Sequence, residues 1–247
     1  MEYELVNAGV PVTARFSDAD VEGIFLPLLR RMTAMQAAKG GRLLALLAAP
    51  PAAGKSTLAA LLERLSRETP GLTPLCAIGM DGFHRRQSWL LGHTVRRDGE
   101  TIPMARIKGA PETFDLPLLL ERLRRVAVGE DCPWPRYDRT LHDPVEDGGR
   151  VSGEIVLLEG NYLLLDAEGW RALRDLADMT IFVSADPAFL RGRLLARHLA
   201  GGKSTEDAAR IVERSDMANI RLCLERSLPA DVTLALGEDG RYKKADS

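Results

Sequence analysis

The order of apolar and polar positions along the chain predicts buried strands that alternate with amphipathic helices. Five short runs are almost continuously apolar, which is typical of parallel strands covered on both faces. These runs are Leu43–Ala48, Leu75–Met80, Ile155–Leu158, Thr180–Ser184 and Val232–Leu236. Helical spacing of apolar residues falls between them, at Ser56–Arg67, Asp115–Val126 and Pro187–Leu199. The alternation predicts an α/β fold, with an open, mostly parallel sheet that carries helices on both faces.

The segment before the first of these strands predicts an extension of one or two short strands and a helix. Residues 17–20 read Ser-Asp-Ala-Asp, similar to a capping box, and apolar residues follow at helical spacing from Val21 to Met32. Pro27 lies within this pattern and is a candidate for a kink. The chain has 247 residues, which suits one large domain. We therefore interpret 1–247 as a single domain with an extension over residues 1–40.

A phosphate-binding loop is predicted between the first strand and the first helix. The stretch Ala49-Pro-Pro-Ala-Ala-Gly-Lys-Ser differs from the G-x-x-x-x-G-K-[ST] pattern in its first residue only. Alanine fits that position if its φ stays negative. A strand–helix turn that contains Gly-Lys-Ser by chance is the alternative. The residues predicted to hold the phosphates of ATP are Ala53, Gly54, Lys55, Ser56 and Thr57, with Lys55 on the β- and γ-phosphates and the Ser56 hydroxyl on Mg²⁺.

Composition and charge argue against several other classes of protein. The formal net charge of −2 gives no general case for nucleic acid or an anionic membrane as partner. The three cysteines form no C-x-x-C pair, which argues against a disulfide framework and a zinc site. No signal-peptide pattern stands at residues 1–10, and the longest apolar run is well short of a bilayer span. We expect a soluble protein of the reducing cytoplasm.

Several segments resemble one family of enzymes. Met80–His84 (MDGFH), Leu157–Leu164 (LLEGNYLL) and the phosphate loop are similar to the phosphoribulokinase/uridine kinase family of P-loop kinases, which also includes bacterial pantothenate kinases. Lys108–Asp115 (KGAPETFD), Pro135–Asp147 (PRYDRTLHDPVED) and Glu159–Asp166 (EGNYLLLD) resemble the bacterial branch described as nucleoside/nucleotide or fructose-transport-associated kinases. The resemblance covers about residues 20–236 and implies a P-loop NTPase fold with a helical lid.

The resemblance also implies catalytic roles. Asp81 is the implied general base, and Glu159 is the implied acid that acts on Mg²⁺ directly or through water. Both follow strands whose carboxyl ends share one edge with the phosphate loop, so we expect one site. A turn cap at Asp81 and an ordinary strand-end carboxylate at Glu159 are the alternatives. Residues 187–205 resemble the lid, whose Arg193 and Arg197 lie four apart on one helix face and could neutralise the transferring phosphoryl group.

Other assignments stay open. Arg191 competes with the two lid arginines, all three could form a solvated basic face, and Asn219 is a candidate for the adenine side. Each acceptor candidate could equally be a loop residue, and His84 a surface histidine. The candidates for the acceptor pocket are Phe83, His84, Trp89, Lys108, Arg136, Tyr137 and His142, within or beside the irregular loops 84–113 and 133–147.

The leading interpretation is a kinase that uses ATP and Mg²⁺ to phosphorylate a hydroxyl group of a small molecule. A nucleoside, a sugar and a pantothenate-like compound all remain open as acceptors. A regulatory or motor NTPase and a non-catalytic nucleotide sensor are the alternatives, although the chain has neither an N-K-x-D guanine motif nor an L-S-G-G-Q transporter signature. Assembly into a homodimer is also open.

Overall fold

The apolar runs form strands in the computed structural model of the chain, which describes residues 1–7, 10–97, 99–146 and 148–245. Each of the three predicted helices is present, with ends within one residue of the expected ones. None of the helices in these ranges has the length and apolar character needed to cross a membrane. The strands are β1 (Glu2–Asn7), β2 (Val10–Arg15), β3 (Leu43–Ala48), β4 (Leu75–Gly79), β5 (Thr94–Arg97), β6 (Glu100–Pro103), β7 (Cys132–Pro133), β8 (Arg136–Asp138), β9 (Asp143–Val145), β10 (Arg150–Val151), β11 (Ile155–Gly160), β12 (Met179–Ala185), β13 (Val232–Leu236) and β14 (Tyr242–Lys244). The α-helices are α1 (Asp18–Asp20), α2 (Leu26–Lys39), α3 (Lys55–Glu68), α4 (Gln87–Leu91), α5 (Leu116–Ala127), α6 (Arg171–Leu176), α7 (Pro187–Ala200), α8 (Thr205–Ile211) and α9 (Met217–Glu225).

The central sheet has the strand order β14-β13-β12-β3-β11-β4. The five predicted strands are all parallel, and the sixth, β14, pairs antiparallel with β13 at one edge. In register, Glu159 of β11 stands beside Leu47 of β3 and Gly79 of β4. The phosphate loop, the turn after β4 and the end of β11 are therefore neighbours at one edge of the sheet.

Two apolar layers cover the faces of this sheet, as the continuous apolar runs predicted. In β3, Leu43, Ala45 and Leu47 pack on one side. Leu44, Leu46 and Ala48 pack on the other. Helix α3 buries Leu58, Leu61, Leu62 and Leu65 in the first layer. Because both faces of the sheet are buried, the residues of β3 that point to either side are all apolar.

The N-terminal extension is a β1–β2 hairpin followed by helical turns. The side chain of Ser17 accepts a hydrogen bond from the amide of Asp20, as the capping pattern predicted. A π-helical turn at Val21–Phe25 then leads into α2. Pro27 lies in the first turn of α2, where a missing amide donor breaks no helical hydrogen bond. The irregularity therefore lies before Pro27 in the chain.

The segment Gly92–Thr113 contains more regular structure than its sequence indicated. Strands β5 and β6 pair as an antiparallel hairpin, and 3-10 turns follow at Met104–Ile107 and Pro111–Thr113. The residues of this hairpin are exposed or only partly buried, and three of the eight are charged, so no clear apolar pattern marks the two strands. Asp98 in this segment and Asp147 in the second predicted acceptor loop lie outside the described residues.

Candidate active site

The phosphate loop connects β3 to α3 with no glycine at its first position. The amide of Ala49 donates a hydrogen bond to the carbonyl oxygen of Gly160 (3.3 Å), and Ala49 is fully buried. Its φ is not positive, so alanine fits there as expected. Positive φ values occur instead at Ala52 (66°) and Gly54 (81°). Glycine adopts this conformation freely, whereas alanine pays about 1–2 kcal/mol for it.

Three predicted residues meet where this loop enters α3. The hydroxyl of Ser56 donates a hydrogen bond to Oε1 of Glu159 (2.8 Å). The ammonium nitrogen of Lys55 lies 4.0 Å from Oε2 of the same carboxylate. Glu159 is only 9% exposed, and its Oε2 has no hydrogen-bond partner among the described residues. The phosphate loop and the end of β11 therefore form one site.

Burial raises the pKa of Glu159 above its ordinary value. The positive charge of Lys55 and the hydrogen bond from Ser56 oppose this rise, whereas the negative charge of Asp81 adds to it. Carboxylate and hydroxyl oxygens are ligands that Mg²⁺ accepts. A buried carboxylate oxygen without a hydrogen-bond partner, beside a hydroxyl group, fits a site for this ion. The residues that could hold it are Glu159 and Ser56.

Asp81 lies in the 3-10 turn Met80–Phe83 that follows β4. Its negative charge influences the pKa of His84 and of Glu159, which come from two different strand ends. Its side chain makes no hydrogen bond within the described parts of the chain, and no side-chain hydrogen bond caps this turn there. Gly82 packs so closely on the backbone of Pro135 that an added Cβ would lie 2.0 Å from the carbonyl oxygen. This contact joins the Asp81 turn to the acceptor-side segment.

His84 is half-buried near Asp81, with its Nδ1 atom buried, so it is not the exposed surface residue of the alternative interpretation. Its ring stacks on Phe114 with centroids 3.9 Å apart, and Tyr137 approaches edge-on at 5.3 Å. Its Nδ1 has no hydrogen-bond partner in the described ranges. Burial lowers the pKa of His84, although the charge of Asp81 opposes this. Burial also raises the pKa of Tyr137 to about 12. At neutral pH, this aromatic group therefore presents uncharged polar atoms next to Asp81.

Lys108 joins the two acceptor loops. Its ammonium group donates to Oε1 of Gln87 (3.1 Å) and to the carbonyl oxygen of His142 (2.7 Å). It also lies 5.3 Å from the ring centroid of Tyr137. Burial lowers the pKa of Lys108. The side chain of His142 is exposed, and its φ of 54° turns the chain at this point.

The remaining acceptor candidates separate into core and surface. Phe83 is 1% exposed and packs edge-on against Trp134 at 4.8 Å, so it belongs to the core and supports the turn. The side chain of Phe83 points inward because the 3-10 turn closes over the second apolar layer. Trp89 stacks on His93 at 3.8 Å and is half-buried. Arg136 donates to Oδ2 of Asp138 (3.1 Å).

The lid arginines differ in their surroundings. Helix α7 and the turn up to Thr205 occupy the predicted lid. Nη2 of Arg193 lies 3.9 Å from the point that a Cβ would occupy on Gly54, so it reaches the phosphate loop. Arg191 instead pairs with Glu213 (2.6 Å) on the surface. Arg191 therefore no longer competes with Arg193 and Arg197 as a candidate for contact with the phosphates.

Arg197 faces the same site from the next turn of α7. Burial lowers its pKa, and the charges of Asp216 and Asp81 oppose this change. Arg139 was not predicted, yet its positive charge influences the pKa of both Glu159 and Arg197. Arg139 lies between β8 and β9, in the PRYDRTLHDPVED segment. The sequence feature that could have indicated Arg139 is a basic residue at the turn between two short strands of that segment.

Asn219 lies beside Gly109, which is in the first of the two predicted acceptor loops. It is 7% exposed, and its Nδ2 is 3.7 Å from the point that a Cβ would occupy on Gly109. The hydroxyl of Tyr162 donates to the carbonyl oxygen of the same glycine (2.7 Å). Both residues therefore support the segment that begins at Lys108. A contact between Asn219 and adenine stays a prediction.

The chain is similar in sequence and fold to known proteins. The sequence model of the Phosphoribulokinase / Uridine kinase family matches residues 45–232. The chain is 40% identical over 243 residues to the "Uncharacterized protein YggC" of Escherichia coli (strain K12), with 98% of each chain covered. It is 30% identical to a pantothenate kinase of Enterococcus faecalis, over 79% of this chain and 67% of that one. A solved structure titled "putative fructose transport system kinase", from Silicibacter sp. TM1040, superimposes with a TM-score of 0.74 at 31% identity, covering 85% of this chain and 97% of the other.

Proposed function

Because the chain belongs to the phosphoribulokinase/uridine kinase family, we propose that it transfers the γ-phosphoryl group of ATP to a hydroxyl group of a small molecule. The observation that carries this proposal is the meeting of Ser56 and Lys55 with the buried carboxylate of Glu159. A loop that only connected a strand to a helix would not need a buried acid at this point, because burying a carboxylate is costly.

The nucleotide side of the reaction uses the phosphate loop. The amides of Ala53–Thr57 and the ammonium group of Lys55 hold the phosphates. Ser56, and Glu159 directly or through water, would hold Mg²⁺, which when bound would supply positive charge to the phosphate oxygens. Ser56 and Lys55 both contact Glu159, which joins the phosphate loop to the proposed metal-binding carboxylate.

The acceptor side of the reaction uses Asp81. Its carboxylate takes the proton of the acceptor hydroxyl as the oxygen attacks the γ-phosphorus, and ADP leaves with the bridging oxygen. Arg193 and Arg197 close over the phosphates and stabilise the charge in the transition state. Support for these roles comes from the charge of Asp81, which influences the pKa of Glu159 and of Arg197.

The acceptor is a polar small molecule of the size of a nucleoside, a sugar or pantothenate. Pantothenate is included because the chain is similar to the pantothenate kinase of E. faecalis. The stacked rings of His84 and Phe114 offer an apolar wall. Tyr137 and Lys108 add hydrogen-bond donors at its border.

The test combines two substitutions with one assay. ADP production is measured with Mg²⁺, ATP and a panel of nucleosides, sugars and vitamin precursors. Lys55→Ala should abolish acceptor-dependent ADP production. Lys39→Ala is the matched control, because Lys39 pairs with Asp178 (2.6 Å) at the opposite end of β3. Asp81→Asn should keep ATP binding and lose about 10²- to 10⁴-fold in rate, the usual effect of a general base.

Each outcome has a distinct meaning. Wild-type turnover in Lys55→Ala would refute the phosphate-loop assignment. A loss of only a few-fold in Asp81→Asn would mean that another group takes the proton. ADP release that no acceptor accelerates, despite tight ATP binding, would contradict the kinase proposal and favour a regulatory NTPase or a nucleotide sensor.

A further inference from the structure

A tyrosine from the last strand of the sheet reaches the phosphate loop. Tyr242 begins β14, which lies outside the matched residues 45–232. Its hydroxyl oxygen lies 3.9 Å from the point that a Cβ would occupy on Gly54, as does Nη2 of Arg193. A hydroxyl group and a guanidinium group thus approach the same glycine, at the point where the loop backbone is expected to meet the phosphates.

The N-terminal extension holds this tyrosine in place. The ring stacks on Phe16 with centroids 6.3 Å apart and packs edge-on against Phe25 at 5.3 Å. The amide of Tyr242 donates a hydrogen bond to Oδ2 of Asp20 (3.2 Å), which is 4% exposed. A buried carboxylate is costly unless it is hydrogen-bonded, so this contact favours the position of Tyr242 beside the N-terminal extension.

The hydroxyl group itself is unused. Tyr242 is 6% exposed, yet its hydroxyl makes no hydrogen bond with any residue in the described ranges. Burial raises the pKa of Tyr242 to about 12, and the positive charge of Arg193 opposes that rise. The group is therefore a protonated donor at neutral pH. The hydroxyl oxygen itself is accessible at the surface, so a ligand can reach it and accept its hydrogen bond.

We propose that Tyr242 is a nucleotide-binding residue whose hydroxyl donates a hydrogen bond to a phosphate oxygen of ATP beside Gly54. The N-terminal extension then acts as the support of this contact, through Phe16, Phe25 and Asp20. The inference rests on the proposed function, because it assumes that ATP occupies the phosphate loop. It adds a ligand contact from outside the residues that the family model matches.

Tyr242→Phe tests the contact, because it removes only the hydroxyl group. With ADP and Mg²⁺ as probe, isothermal titration calorimetry should give a dissociation constant about tenfold higher than that of the wild type. The melting temperature without ligand should not fall, since the hydroxyl has no partner in the protein. Tyr3→Phe is the matched control, because Tyr3 is buried in the same aromatic cluster and its hydroxyl donates a hydrogen bond to the sulfur of Met1 (3.6 Å), away from the phosphate loop.

A measurement on the unsubstituted protein gives a second test. The chain has four tyrosines, so 3-fluorotyrosine labelling gives four ¹⁹F resonances. Phenylalanine variants of Tyr3, Tyr137 and Tyr162 assign three of them, and the fourth belongs to Tyr242 even if its own variant does not fold. ADP with Mg²⁺ should shift this fourth resonance.

The outcomes separate the inference from the proposed function. A wild-type protein that does not bind ADP would contradict the proposed function itself. If the wild type binds ADP, an unshifted Tyr242 resonance would overturn the inference and leave the kinase proposal standing. Equal dissociation constants for the wild type and Tyr242→Phe would do the same.

Discussion

The contact between Gly82 and Pro135 allows a quantitative prediction. In Gly82→Ala, the new Cβ would lie 2.0 Å from the carbonyl oxygen of Pro135, 2.4 Å from its carbonyl carbon and 2.9 Å from the amide nitrogen of Arg136. Ordinary contact begins at 3.4 Å, so relief of the shortest distance requires about 1.4 Å of separation (3.4 − 2.0). All three atoms belong to the backbone, and no side-chain rotation can relieve the clash.

This separation should affect activity more than stability. Forcing an extra methyl group into a packed site costs about 1–3 kcal/mol, or about 2–12 °C in melting temperature for a chain of this size. Asp81 lies on one side of the contact and Tyr137 on the other. A displacement of about 1 Å between reacting groups can reduce the rate about 10²-fold. We therefore expect a folded protein with about 1% of the wild-type kcat.

Thermal unfolding and acceptor-dependent ADP production measure the two effects. Gly192→Ala is the matched control, because Gly192 lies within α7 and its added Cβ would meet no atom within 4 Å. Alanine should stabilise that helix by about 0.5–1 kcal/mol. A Gly82→Ala protein with wild-type melting temperature and rate would refute the argument that this close approach positions Asp81.

Three further predictions concern single residues. Burial lowers the pKa of His84 below its ordinary 6.5, so the unfolded chain gains a proton first on acidification. The free energy of unfolding should therefore fall as the pH drops below about 6.5, and less steeply in His84→Gln, as urea titrations at several pH values would measure. Arg197→Gln should lower kcat about 10²-fold, whereas Arg191→Gln, which breaks only a surface pair, should change it little in the same ADP assay. Ala52→Gly should raise the free energy of unfolding by about 1 kcal/mol in a urea titration, because glycine accepts the positive φ.

Burial explains which parts of the fold the sequence predicted. The five parallel strands are covered on both faces, so their residues are apolar without interruption. The strand β14 reads Tyr-Lys-Lys and pairs on one side only, so no apolar run marks it. The hairpin of β5 and β6 is missed for the same reason. Exposed, charged strands are defined by their pairing, which a single sequence does not reveal.

The residues of the candidate site also divide into those that the sequence predicted and those whose contacts it could not predict. Lys55, Ser56 and Glu159 follow from a local motif and from the rule that parallel strands end at one edge. The stack of His84 on Phe114 depends on packing between residues thirty positions apart. The hydrogen bond from Tyr242 to Asp20 joins residues separated by 222 positions. Contacts of this kind arise from the tertiary fold, so spacing along the chain could not predict them.

The adjacency of β4 and β11 has a consequence for how such enzymes diversify. The chain leaves the central sheet after β4 and next enters it as β11, the strand that is hydrogen-bonded to β4. The residues proposed to recognise the acceptor lie in this excursion from the sheet, between residues 80 and 154. The phosphate loop, Glu159 and the lid arginines, which are proposed to bind the nucleotide, lie outside it. Because its two ends are neighbouring strands, the loops of this excursion can change in length without altering the strand pairing, as long as α5 still covers the second apolar layer. The acceptor could thus change in evolution through the loops of this segment, provided that the proposed base Asp81 at its start is kept.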